Sequence, residues 1–237
     1  ISDPISLASI SVIGYAHNAW LNDGGTHLIT TEETDLITVK IWDIQDLGNI
    51  NLVSDYLGEN NLAHNVHVRD DQLIISHYTT GVKIVDIFDP ENPVEVAAYD
   101  TYPANDDTGY YGCWGAFPFT QNGFVYASDM QNGLHILEFD PVYAGWFSAT
   151  LRDNMGVPID NDAVVYSQLD GRIFDIQDNG YVLIGMPEGE HTFDALLGQF
   201  ELGDFTINIE AHQTLSGTIY LMDSIMLGDP SGDEIVN

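Results

Sequence analysis

Short runs of β-branched and aromatic residues alternate along this chain with clusters of Asp, Asn, Gly and Pro, and three of the runs close in the same way. They are Lys40-Ile41-Trp42-Asp43-Ile44-Gln45-Asp46, Lys83-Ile84-Val85-Asp86-Ile87-Phe88-Asp89-Pro90 and His135-Ile136-Leu137-Glu138-Phe139-Asp140-Pro141. Ile1-Ser2-Asp3-Pro4 reads as the tail of a fourth copy, so a turn aspartate recurs at positions 3, 46, 89 and 140. A period in the forties carried by short strands predicts a propeller-type array. Each copy is then one sheet that needs neighbours on both faces.

A second landmark keeps the same phase. Ala16-His17-Asn18-Ala19-Trp20 is echoed by Ala63-His64-Asn65-Val66-His67 and, more loosely, by Gly112-Cys113-Trp114-Gly115-Ala116-Phe117. Within a period four extended runs are separated by turn residues. In the second they cover residues 64–68, 72–77, 82–87 and 94–99, with Asp70-Asp71, Thr80-Gly81 and Asp89-Pro90-Glu91-Asn92-Pro93 between them. Apolar/polar alternation makes the runs strands and the Asp/Pro/Asn/Gly clusters make the turns. The predicted unit is a four-stranded antiparallel blade.

After Pro141 the period is lost. New alternation begins at Phe147-Ser148-Ala149-Thr150-Leu151-Arg152-Asp153 and continues through residues 156–159, 163–166, 180–184, 189–195, 205–209 and 215–221. Seven short strands bounded by Gly, Pro, Asp or Asn predict a small β-sandwich. Helical periodicity is absent. The expected fold is all-β: a partial β-propeller over residues 1–141, an Ig-like sandwich over 147–222 and an acidic tail over 223–237. Beginning in mid-repeat without Met, the sequence is expected to be a piece of a longer polypeptide. Two full blades plus edge strands do not close a ring, so missing blades or neighbouring chains are expected to cover the open edges.

Composition sharpens this picture chiefly through charge. The 44% hydrophobic and 11% aromatic content is enough for packed cores. Against 37 acidic residues stand 5 basic ones, Lys40, Lys83, Arg69, Arg152 and Arg172, for a net charge of −32. No cation cluster exists to neutralise phosphates, which excludes nucleic acid as a partner, and an anionic membrane surface would repel the chain. No apolar run approaches the ~18 residues of a membrane span, so membrane insertion is not expected. So acidic a surface suits a saline or calcium-containing exterior, where counter-ions screen its self-repulsion. The single Cys113 has no partner for a disulfide, and its place beside Trp114 in an apolar strand makes it a small core residue.

The last residues have the spacing of a calcium loop: Asp229, Ser231, Asp233 and Asn237 stand at relative positions 1, 3, 5 and 9, where a hard cation takes oxygen ligands. Glu234 replaces the turn glycine, and the ligand expected at position 12 lies beyond the sequence. Calcium is therefore the expected ion, and a transition metal is not expected.

The blade motifs, with Tyr99-Asp100-Thr101-Tyr102-Pro103 and Gly112-Cys113-Trp114-Gly115-Ala116-Phe117-Pro118-Phe119, resemble the LVIVD-repeat propellers of the choice-of-anchor B family. That resemblance implies a secreted or surface-displayed propeller joined to a C-terminal anchoring module, with no assigned reaction. Asp153-Asn154-Met155-Gly156-Val157-Pro158-Ile159, Gly180-Tyr181 and Pro187-Glu188-Gly189 are similar to carboxypeptidase-regulatory-like, Ig-like sandwiches, and the tail resembles the first calcium loop of a dockerin-type module.

Candidate chemistry centres on histidines that recur at the blade starts. The first strand of a propeller blade lines the central channel, so His17 and His64 are expected near one mouth, with Glu32 or Glu33 from the next strand close by. His17, His64 and Glu32 are the set that a channel metal would use, since two imidazoles and a carboxylate suit a transition ion, although calcium is the ion expected for the chain. His27, His135, His191 and His212 read as surface or turn residues. Tyr110, Tyr111, Trp114, Phe117 and Phe119 are suited to stacking on sugars, but alternation places most of them in the blade core. No nucleophile with an adjacent base and no phosphate-cradling loop is present. The favoured function is a non-enzymatic extracellular or cell-surface binding scaffold for a protein or glycan ligand; the alternative is a metal-dependent hydrolase using the channel site.

Overall fold

A computed structural model describes residues 3–34, 36–58, 62–105, 107–159 and 162–221; the calcium-loop positions Asp229, Ser231, Asp233 and Asn237 lie outside the described residues, as do Ile1 and Ser2. The described residues form strands, turns and one short 3-10 turn at Asp178–Gly180. The protein is all-β. It divides into two compact units, Ile1–Tyr143 and Ala144–Asn237.

In the first unit, β1 (Ala16–Leu21), β2 (His27–Thr34), β3 (Ile37–Asp43) and β4 (Asn51–Tyr56) make one antiparallel sheet in sequential order. β5 (Asn65–Arg69), β6 (Gln72–Ser76), β7 (Val82–Asp86) and β8 (Val94–Tyr99) repeat it. These are the blades that the alternation predicts, and the second follows the predicted boundaries within a residue or so. A third sheet holds β9 (Cys113–Phe117), β10 (Val125–Asp129) and β11 (Gly133–Leu137), in the order β11-β10-β9. It lacks the fourth strand that the period predicts, because after β11 the chain runs on into the sandwich. Residues 3–15 form no strand either, so the expected N-terminal edge strand is not seen there.

The repeated aspartates do the same local work in the first two blades. The Asp46 Oδ1 accepts from the Gly48 N–H at 2.8 Å and the Asp89 Oδ1 from the Glu91 N–H at 3.1 Å. One turn earlier, Asp43 accepts from Gln45 at 2.9 Å and Asp86 from Phe88 at 2.8 Å. Each carboxylate satisfies the backbone donor two residues on and fixes the strand exit.

Blades one and two share a core of Ile29, Val39, Ile41, Ala63, Val66, Val68, Leu73, Ile75, Val85 and Ile87. Because blade two is covered on both faces, every residue of β6 and β7 is buried. On β11, by contrast, Leu134 and Ile136 stand exposed, as expected for a blade with an unpartnered face. Two of the five basic residues sit at equivalent points of the third strands. Lys40 Nζ lies 2.8 Å from the fully buried Glu32 and Lys83 Nζ 3.3 Å from Glu95.

The second unit is a sandwich of two sheets. β12 (Ala144–Arg152) lies between β15 (Tyr181–Pro187), antiparallel, and β18 (Thr214–Tyr220), parallel. The other sheet runs β14 (Ile173–Asp175), β13 (Ala163–Ser167), β16 (Gly189–Leu197), β17 (Phe200–Ile209). Between them pack Phe147, Leu151, Val165, Ile184, Met186, Phe193 and Phe205. Two details depart from expectation. Residues 156–159 contribute a single bridge, Pro158 to Arg152, and the three-residue β14 adds a strand beyond the predicted seven.

Candidate functional site

The first strands of the three blades lie side by side, and bulges set their side chains. In β1, Ala16 pairs with Glu32 and Asn18 with Thr31, so His17 is the extra residue; in β9, Cys113 pairs with Asp129 and Gly115 with Ser128, so Trp114 is. A bulge breaks strict alternation and re-aims a side chain. The result is a ladder of repeat-equivalent rings: His17 on His64 and His64 on Trp114, each pair with centroids 4.2 Å apart and planes tilted by 41°.

Hydrogen bonding repeats with the rings. His17 Nδ1 lies 2.9 Å from the carbonyl oxygen of His64, and His64 Nδ1 lies 2.5 Å from that of Trp114. A carbonyl oxygen only accepts, so each Nδ1 carries the proton and each Nε2 presents its lone pair. The Asn65 side-chain amide donates to the same Trp114 oxygen at 3.3 Å; with Nδ1 of His64 protonated, the amide nitrogen 2.8 Å away makes no bond to it. Thr31 also donates to the His64 carbonyl at 2.8 Å, tying β2 to the ladder.

Both lone pairs converge on Glu33. His17 Nε2 is 4.0 Å from Glu33 Oε2, and His64 Nε2 is 3.9 Å from Glu33 Oε1. One ligand atom from each of His17, Glu33 and His64 lies within 4.8 Å of the others. His64 is 3% exposed and its Nε2 has no hydrogen-bond partner. Tyr78 donates its hydroxyl to Glu33 Oε1. Burial pushes that hydroxyl up from its ordinary range, with the bond to Glu33 and its charge adding to the shift, so Tyr78 stays a donor. Burial and the neighbouring His17 hold His64 below the ordinary histidine value, against the opposing pull of Trp114 and Glu33.

Of the expected triad, the structure brings His17 and His64 together and replaces Glu32 with Glu33. Glu32 turns the other way, bonded to Lys40 and accepting from the Gly14 N–H at 3.1 Å. Successive side chains on a strand face opposite sides. Glu33 shares its side with Thr31, which touches His64, whereas Glu32 shares its side with Thr30, the partner of Lys40 across the sheet.

A second ring cluster lies three residues further along each strand. Trp20, His67 and Phe117 are joined by Phe119: Trp20 meets His67 at 4.8 Å and stacks on Phe119 at 5.5 Å, while His67 lies 5.9 Å from both phenylalanines. Trp20 is 36% exposed, Phe119 43% and Phe117 47%. Trp114, Tyr110 and Tyr111 are likewise exposed. The expectation that these aromatics fill the blade core is thus corrected, because alternation separates two faces without saying which is covered. His67 lies outside the expected site residues; its equivalence to Trp20 in the repeat is the available signal.

Elsewhere, Cys113 is fully buried, and burial followed by the charge of Asp129 pushes its thiol up to about 12. His191 is buried on β16 with Nε2 2.7 Å from the Pro187 carbonyl, correcting its reading as a surface residue. His27, His135 and His212 are half-buried.

Neither a family model nor a curated protein matches the chain. Among solved structures it is similar to GBS52, a minor pilin of Streptococcus agalactiae, at 12% identity over 48% of this chain and 66% of that one, with a TM-score of 0.26. It is also similar to the C-terminal WD40 domain of Sif2, at 11% identity over 81% and 46%, TM-score 0.33. The computationally designed Ika4 protein matches at 13% identity over 72% and 96%, TM-score 0.35. The chain spans 23% of the Bacillus anthracis TIE protein and 37% of the Bacillus cereus pilin BcpA, two other matches. No helix among the described residues is long and apolar enough to cross a membrane, which leaves β-barrels unaddressed.

Proposed function

We propose that the chain is a non-enzymatic, extracellular binding module whose blades present an aromatic face to a neutral glycan, with the sandwich unit linking it to an anchored assembly. The observation that carries this reading is the exposed cluster of Trp20, Phe117 and Phe119 around His67. Aromatic faces take the C–H faces of sugar rings, and their rigidity keeps the entropic cost of binding low. A net charge of −32 disfavours polyanionic ligands and leaves uncharged polyhydroxylated ones, whose hydroxyls donate to carboxylates. The single thiol is buried and held protonated, which argues against cysteine chemistry. In this reading calcium in the surroundings screens the surface, and further blades or a neighbouring chain cover Leu134 and Ile136.

A glycan array followed by calorimetry tests the proposal. Binding of a neutral oligosaccharide is expected, weakened at least tenfold by Trp20→Ala and by Phe119→Ala. An array without neutral ligands, or an affinity indifferent to both substitutions, would overturn it.

A further inference from the structure

Two imidazole lone pairs facing one carboxylate favour a cation shared between them. His17 Nε2, His64 Nε2 and Glu33 are all acceptors, and acceptors 3.9 to 4.0 Å apart repel unless they share a cation. Among the described residues the two blade lysines are engaged elsewhere, Lys40 by Glu32 and Lys83 by Glu95. His64 contributes the most direct sign, a buried Nε2 aimed at this point without a protein partner.

We infer that His17, His64 and Glu33 form a binding site for one borderline divalent transition ion of the zinc type, tying the first blade to the second. Two neutral imidazoles and a carboxylate are a donor set that such ions prefer over calcium, which takes six to eight oxygens. With metal–ligand bonds of about 2.1 Å, ligand atoms of a tetrahedral site stand roughly 3.4 Å apart; the two nitrogen–carboxylate spacings would close by about half an ångström, and the widest spacing, within 4.8 Å, by at most about 1.4 Å. The supporting contacts are those that metal sites use. Each histidine donates its other nitrogen to a backbone carbonyl, which fixes tautomer and ring orientation, and Tyr78 donates to the carboxylate. The half-exposed edge at His17 provides the entry path and leaves the fourth position to solvent.

This goes beyond glycan recognition and is independent of it: substitutions at Trp20 or Phe119 leave the ion site intact. The test is calorimetric titration of metal-free protein with Zn²⁺ in excess Ca²⁺ and Mg²⁺, which occupy the surface carboxylates. One ion per chain is expected. His17→Ala and Glu33→Gln, at partly exposed positions, should each weaken binding by at least a hundredfold, and Tyr78→Phe by about tenfold; His27→Ala should change nothing. On the unaltered protein, the Nε2 resonances of both His17 and His64 should move on zinc addition, so the test does not depend on any variant folding. Absence of stoichiometric zinc, unmoved Nε2 signals, or undiminished affinity in His17→Ala would overturn the inference.

Discussion

The ammonium of Lys40 lies 2.8 Å from the carboxylate of Glu32, whose side chain is wholly inaccessible to solvent. In a chain with five basic residues against 37 acidic ones, a buried pair of this kind holds its place by compensating charge. Removing one partner leaves the other buried and unpaired, which costs about 3–5 kcal/mol, whereas replacing both by apolar groups is often neutral. Lys40→Met is therefore expected to lower unfolding free energy by about that amount in denaturant melts, and Lys40→Met with Glu32→Leu to recover most of it.

Acid should unfold the first unit through its buried histidines. Burial, and secondarily the charge of Lys83, lowers His77 to about 4, with Glu95 pulling the other way; burial also lowers His67. A histidine whose folded value lies below its unfolded value contributes stability that is complete above about pH 6.5 and is lost as pH falls toward 4. For His77 the loss is on the order of 3 kcal/mol. Melting temperature measured from pH 7 to pH 4 should fall steadily, and His77→Gln should flatten the decline.

Gly81 and Gly25 separate two effects of glycine. Both have positive φ, at 80° and 66°. A Cβ on Gly25 meets nothing within 4 Å, whereas one on Gly81 falls on the Tyr99 carbonyl oxygen and the backbone of residues 100 and 101. Gly25→Ala should cost about 1–2 kcal/mol, the penalty of left-handed backbone alone. Gly81→Ala should cost more than about 3 kcal/mol, because the turn between β6 and β7 must move. Equilibrium unfolding of the two variants checks the contrast.

Cys113 is expected to be inert while the protein is folded. With no exposed surface and a thiol pushed up to about 12, it offers almost no thiolate at neutral pH. Alkylation at pH 8 should run on the order of a hundredfold slower in the native protein than in denaturant.

The blades were legible because their signals are local. Alternation in residues 64–99 and the aspartates at 46 and 89 prescribe strands and turns within a few residues of themselves, and β5 to β8 follow. What the sequence could not convey was facing. Glu32 and Glu33 are adjacent and face opposite sides of β2, and which side meets His64 is set by how the blades pack. Trp114 and Phe117 carry the residue types of a core, yet both are exposed, because alternation does not say which face of a strand is covered. His191 read as polar surface although the alternation of β16 aligns it with Phe193 and Ala195 on the buried side. The repeated Ala-His-Asn run aligns His17 with His64, 47 residues on, but their 4.2 Å ring contact needs neighbouring blades as well as a repeated motif.

The central claim is that the repeat itself sets two imidazoles with protonated Nδ1 and lone pairs converging on Glu33. Long-range ¹H–¹⁵N correlation of the histidine rings in metal-free protein near neutral pH reads this directly. The account predicts the Nδ1–H tautomer for both His17 and His64, with unprotonated Nε2. An Nε2–H tautomer at either residue would contradict it.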